Sequence, residues 1–289
     1  MPDIPRPIVA ILTALPLEYE AVRTRLGELE TLVHPQGTRA KVGRLDGTPW
    51  HVALVRTGEK SLNAAVLTER VINWLQPQAV IFVGVAGSLK KDVAIGDVVV
   101  ATKVVAYQGG KQTKEGFHVR PDAWHASHAL EGAAFDALGT KAHYKPIAAG
   151  DVVLDDDASA LAKHIKHHYN DAVAIEMEAN GISHAAELSR RVDALVIRGI
   201  SDLANGLKSE ADASGSQVRA AANAAEAALA TVREMVPAPQ ATASAPPAPT
   251  PAEAPAQYAG DHHDHRYGVY HAPVIGKVVY NNPPRPNRG

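Results

Sequence analysis

Four short apolar runs set the tightest limit on how this chain can fold. They are Ile8-Val9-Ala10-Ile11-Leu12, Ala79-Val80-Ile81-Phe82-Val83, Val98-Val99-Val100-Ala101 and Ala194-Leu195-Val196-Ile197. None of them alternates with polar residues, so each reads as a strand covered on both faces. Strands of that kind sit in parallel sheets, and the segments between them must carry the chain back across the sheet. The pattern predicts an α/β fold with a mostly parallel, twisted central sheet flanked by helices.

The intervening segments fit that frame. Pro16 suits the first turn of a helix after the first strand. Leu45 to Arg56 reads as a hairpin that turns at Asp46-Gly47, with His51 to Val55 as its second strand. Thr57 to Lys60 leads into a helix that runs to about Leu75; Lys60 reads as a surface residue, with an anion cradle as the alternative. Helices are expected over Ala126–Leu138, Ala158–Tyr169, Glu178–Arg190 and the alanine-rich Gln217–Val236, and a further strand over Tyr144–Ala149. Gln108 to Pro121 reads as a loop with several cations, and Gly84 to Ser88 as a loop of small residues that lets a ligand approach the backbone.

Residues 1–236 therefore form one domain. Residues 237–260 are mostly Ala, Pro, Thr and Ser and predict a disordered linker, because they hold too little apolar surface to pack. Residues 261–289 form a separate tail rich in Val, Ile and Tyr with an Asn pair, a composition suited to strand pairing or self-stacking. A formal charge of -2 gives no electrostatic case for nucleic acid or membrane as a partner. The absence of cysteine excludes disulfides, thiolate metal sites and a cysteine nucleophile. No apolar run approaches the ~20 residues of a membrane helix and nothing resembles a signal peptide, so a cytoplasmic protein is expected.

Chemistry-bearing residues gather around the last strand. Glu176-Met177-Glu178 opens a helix, and Arg198-Gly199-Ile200-Ser201-Asp202 ends the strand that follows. Acids in these two places converge on the crevice where open α/β sheets bind ligands. Singly, Glu178 is a capping acid and Asp202 a turn aspartate; with Arg198 and Ser201 they read as a site. Glu18 stands at a helix start, where an acid complements the helix dipole. The glycine loop is not GxGxxG and no Walker motif occurs, so neither a dinucleotide cofactor nor a P-loop is indicated. His164, His167 and His168 have a metal-like spacing but lack accompanying acids, and read as a solvated face.

The pair EMEA and RxISD resembles the signature of the nucleoside phosphorylase and nucleosidase superfamily, nearest to methylthioadenosine/S-adenosylhomocysteine nucleosidases. The resemblance covers roughly Ile8 to Val236. It implies a nucleoside phosphorylase-like fold and hydrolysis of the N-glycosidic bond of an adenine nucleoside or nucleotide. It makes Asp202 the general acid at purine N7, oriented by Ser201 and Arg198; aspartate here suits 6-aminopurines. An aspartate that keeps its proton near neutral pH needs burial or a neighbouring carboxylate. Glu18, helped by Glu176, would take the proton from water, Glu178 would hold the ribose hydroxyls, and Met177 would lie against the sugar. Ala86 and Gly87 would lie under the ribose, and backbone groups of Val153 and Leu154 would face the purine. Phosphorylases carry an arginine and a hydroxyl where this chain has Phe82 and Val85, which favours water over phosphate. Glycoside cleavage of this kind needs a proton for the leaving group, stabilisation of an oxocarbenium-like sugar and an activated water, and calls for no metal or organic cofactor.

Two enzyme readings follow. One is an ATP-degrading effector of bacterial antiphage defence: LPLEYEAV and GVAGSLKKDVAIGDVVVATKV resemble phosphorylase-like domains found beside bacterial signalling modules, and the tail resembles short homotypic motifs that join immune effectors to sensors. The other is a housekeeping methylthioadenosine/S-adenosylhomocysteine nucleosidase with a passive tail. A homo-oligomer is expected for either. A third reading, a nucleotide sensor without turnover, is disfavoured by the joint presence of Glu18, Glu178 and Asp202.

Overall fold

The first strand, β1 (Ile8–Thr13), is buried along its whole length. Ile8, Ala10 and Leu12 enter one core cluster, while Val9 and Ile11 enter a second on the opposite face. An unbroken apolar run is what a strand covered on both sides requires. The structure, a computed structural model, describes residues 4–189 and 192–238. The expected linker and tail lie outside the described residues, apart from residues 237 and 238.

After β1 come α1 (Pro16–Arg23), β2 (Glu30–Val33), β3 (Arg39–Arg44) and β4 (His51–Arg56). The Asp46-Gly47 turn stands where the sequence puts it, but the first strand of that hairpin lies before Leu45. Next are α2 (Ser61–Leu75), β5 (Ala79–Ser88), β6 (Val98–Ala106), β7 (Gly110–Thr113), β8 (Gly116–Val119), β9 (Asp122–His125) and α3 (His128–Leu138). The chain continues with β10 (Ala142–Ala149), α4 (Ala160–His168), β11 (Ala174–Glu176), α5 (Ala179–Ser189), β12 (Asp193–Asp202), α6 (Lys208–Ala213) and α7 (Ser216–Glu234).

Two expected loops are strands. Gln108–Pro121 contains the antiparallel β7–β8 hairpin. Residues 84–88 continue β5, because β12 pairs along one edge and β11 supplies partners for Gly87 and Ser88. The strand order is β11-β10-β6-β12-β5-β1-β4-β3-β2. The sheet is mixed: β12 runs parallel to β5 but antiparallel to β6. It also curls until β11, parallel to β10, meets the end of β5. This closure brings the carboxyl ends of β5, β11 and β12 together.

Helices α1, α3 and α7 cover one face through Val22, Leu130, Ala134 and the alanine-rich stripe of α7. The other face is covered by α2 and α5 through Val71, Leu75 and Ile182. Alanines let α7 lie close to the sheet, and its end is tied down by Trp50, whose Nε1 donates to Met235 O at 3.0 Å. On α4 the rings of His164 and His168 lie 4.8 Å apart in a tilted contact, and His164 also meets Phe117 of β8 edge-on. Among the described residues no helix is long and apolar enough to cross a membrane.

Candidate active site

Glu18 belongs to the first turn of α1, and its side chain folds back over the helix start. Oε2 accepts the N–H groups of Ala14 and Leu15 at 2.9 and 2.8 Å, capping donors that the helix leaves unpaired. Oε1 reaches β5 and accepts the Val85 N–H at 2.8 Å. Val85 thus serves through its backbone rather than its side chain. Burial pushes the Glu18 carboxyl above the usual range, while Arg198 and the three backbone donors pull the other way. A carboxylate in this position combines a helix cap with a candidate base.

Arg198 stands inside β12 and is 1% exposed. The sequence pairs it with Asp202, but in the structure it donates to Glu176 Oε2. Its guanidinium carbon lies 3.8 Å from the centre of the Phe82 ring, a cation–π contact. A Cβ on Gly84 would overlap both Arg198 Nη1 and Glu18 Oε1. The space left by that glycine is therefore filled by the protein's own ion cluster and not by a ligand. Glu176 also accepts the N–H groups of Glu178 and Ala179, so it anchors the start of α5. Arg198 and two backbone donors thus converge on the Glu176 carboxylate.

Glu178 completes the acidic set. Its Oε1 accepts the backbone N–H of Lys60 at 3.0 Å. Lys60 has φ 75 and precedes α2, so it contributes its main chain to the site while its side chain is exposed. Burial, together with the charge of Glu176, pushes Glu178 up to about 7, against Arg198 and the Lys60 N–H. This has a measurable consequence. The folded protein holds a proton on Glu178 between its ordinary 4.5 and about 7, so stability is lost as pH rises through that window. Glu178→Gln cannot ionise. It should melt above the wild type at alkaline pH and converge with it in acid; equal melting at every pH would refute the perturbation.

Asp202 owes its direction to a break in register. Ile200 pairs with Ala86 and Asp202 with Gly87, which leaves Ser201 as an extra residue in β12. A bulge of this kind re-aims the side chain beside it. Ser201 Oγ donates to Asp202 Oδ2 at 2.9 Å, and the Ala204 N–H donates to Oδ1 at 3.0 Å. A second donor to Oδ2, at 2.9 Å, is the ammonium of Lys208 on α6. Lys208 has no sequence signal: it follows Asp202 by six residues in a stretch without periodicity.

These groups share one cavity of about 250 Å³. Glu18, Ala86, Gly87, Leu154, Glu176, Met177, Glu178, Ser201 and Asp202 line it, with Lys208. Val153 lines it too and is 56% exposed, so it stands at the mouth. Arg198 does not reach the cavity surface and lies behind Glu18 and Glu176. Among the described residues, no cluster of His, Cys, Asp and Glu could hold a metal ion.

The chain matches the phosphorylase superfamily over residues 8–237. It belongs to that family. Among curated relatives it is similar to the ATP nucleosidase Cap17 of Escherichia coli strain KTE188, 27% identical over 255 residues, covering 74% of this chain and 50% of the relative. The chain thus spans about half the length of the curated relatives it matches. Among solved structures it resembles the 5'-methylthioadenosine/S-adenosylhomocysteine nucleosidase of Neisseria meningitidis in complex with methylthio-immucillin-A. That likeness has a TM-score of 0.69 and 25% identity, over 79% of this chain and 100% of the other. The futalosine hydrolase of Helicobacter pylori strain 26695 shares the fold, with a TM-score of 0.69 and 21% identity over 79% and 98% of the two chains. As a member of the phosphorylase superfamily the chain has the mixed α/β sheet of these nucleosidases.

Proposed function

We propose that this chain is an adenine nucleosidase that hydrolyses the N-glycosidic bond of an adenine nucleoside or nucleotide. The observation that carries the reading is the meeting of Glu18, Glu178 and Asp202 on one small cavity. Asp202 delivers a proton to the leaving purine at N7, held by Ser201. Glu178 accepts hydrogen bonds from the ribose hydroxyls, and the acids around the sugar stabilise its developing positive charge. Glu18, with its carboxyl raised by burial, takes the proton from the attacking water. Water is preferred to phosphate because the cation stacked on Phe82, Arg198, is already neutralised by Glu176.

ATP as substrate is supported by the likeness to the ATP nucleosidase. The smaller thioadenosines are supported by the full-length likeness to the Neisseria enzyme. In the first case the chain acts as a cytoplasmic, homo-oligomeric effector of antiphage defence, with residues 237–260 as a linker and 261–289 as a tail that recruits a sensor. Incubation with ATP, methylthioadenosine and S-adenosylhomocysteine, with and without phosphate, tests the reading. Free adenine and free sugar are expected; a sugar 1-phosphate would assign phosphorolysis, and no adenine from any of the three would refute the function. Cellular ATP during phage infection, compared between the full chain and residues 1–236, tests the tail.

A further inference from the structure

Asp202 is surrounded by donors. Ser201 Oγ and Lys208 Nζ donate to Oδ2, each at 2.9 Å, and the Ala204 N–H donates to Oδ1 at 3.0 Å. An ammonium and a backbone N–H accept nothing, so this shell suits a carboxylate. Protonating a purine requires the opposite state, a carboxylic acid with its proton aimed at the base. Three donors occupy three of the carboxylate's roughly four lone-pair positions, and the one whose charge opposes protonation is the ammonium. Ser201 and Ala204 are held close by the chain itself, whereas Lys208 reaches in on a long side chain that is 26% exposed.

The same side chain has a second place to go. Asp212 lies four residues along, on the neighbouring turn of α6, with Oδ2 4.0 Å from Lys208 Nζ. Its Oδ1 is buried and accepts no hydrogen bond among the described residues. The Asp212 side chain is 34% exposed, and its Oδ2 is the oxygen that faces the ammonium, so it offers Lys208 a second, partly solvated carboxylate. Lys208 thus stands between two carboxylates, bonded to one and near the other.

We propose that Lys208 is a two-position cation, resting on Asp202 while the cavity is empty and moving to Asp212 when a purine enters, so that Asp202 takes up a proton from solvent and turns it to the base. The inference rests on Asp202 being the proton donor. Lys208 touches the acid and not the base, so it is a positioning residue. The other charged groups around the cavity are Glu18 on α1, Glu59 before α2, Glu176 and Glu178 at β11 and α5, and Asp155, whose Oδ1 accepts the Lys208 backbone N–H. Arg198 lies behind them. Of the cations, Lys208 alone is bonded to Asp202 among the described residues.

The test is adenine binding by calorimetry as a function of pH with the full chain, alongside kcat and KM for whichever of ATP and methylthioadenosine it cleaves. In Lys208→Met nothing has to be displaced. Adenine should bind more tightly, KM should change by a larger factor than kcat and in the downward direction, and the alkaline limb of binding and of kcat/KM should move to higher pH by about one unit or more. Asp212→Asn removes the second resting place. Adenine should bind more weakly, KM should rise, and the limb should move to lower pH. In the double variant the Asp212 effect should vanish, because both changes act through one side chain. Lys208→Gln repeats the test with a polar chain if the methionine variant folds poorly. An unmoved alkaline limb in the Lys208 variants, or an Asp212 effect that persists without Lys208, overturns the proposal. Asp202→Asn separates the two levels: turnover in that variant refutes the acid itself, while an inactive Asp202→Asn beside an unmoved limb refutes only the Lys208 switch.

Discussion

Asp202→Asn stops adenine release while leaving the domain folded. The amide keeps the size of the side chain, and its oxygen can still accept the Ala204 N–H that now reaches Oδ1. What it lacks is a proton to give. Loss of one acid–base group costs on the order of a hundredfold in rate or more. A purine that departs without a proton must leave as an anion, so the loss should fall on kcat rather than on KM. Initial rates of adenine release from ATP and methylthioadenosine, with a thermal melt as control, check this. Turnover within a few fold of the wild type would remove Asp202 from the chemistry, and the reading of the whole site with it.

Arg198→Met should cause the largest loss of stability. Glu176 and Glu18 are both buried against the Arg198 guanidinium, and Gly84 leaves just the room for that arrangement. Lys208 does not belong to this cluster, because it is bonded to Asp202. Removing one partner from a buried ion pair costs about 3–5 kcal/mol, since a charge is left without compensation. That is a large share of the 5–15 kcal/mol typical of a folded domain. The loss should depend on pH in a defined direction. Arg198 pulls the carboxyls of Glu18 and Glu178 down against burial; without the cation both hold protons more tightly in the folded state, so stability present in acid is lost as pH rises. Urea unfolding at acid and alkaline pH should therefore show a larger gap between variant and wild type in alkali. A gap that is the same at both would mean that the methionine disturbs packing and not charge.

Much of this protein is legible in its sequence, and the reasons are local. An unbroken run such as Ile8 to Leu12 can be satisfied only with cover on both faces, and both core clusters provide it. The two acidic motifs stand at element ends, where side chains point into a crevice. Three features escaped. Residues 84–88 look like a loop because glycines disfavour strands, yet partners on both edges outweigh that preference. β11 has three residues and no pattern of its own; it exists because the sheet curls. The Gln108–Pro121 hairpin hides among charges because neither of its strands buries a clean face.

The sequence by itself determined the class of fold, the family and the identities of the acids at the cavity, because periodicity and motif spacing depend only on near neighbours along the chain. Which acid meets which cation was decided by the tertiary structure alone. Arg198 turns to Glu176, 22 residues away, and not to Asp202, because the closed sheet lays β11 beside the end of β5 and buries both charges together. Asp202 receives Lys208 instead, through a register break at Ser201 and a turn that returns α6 to the cavity. Such pairings depend on burial and distance in space, and charged side chains in a sequence carry no record of either.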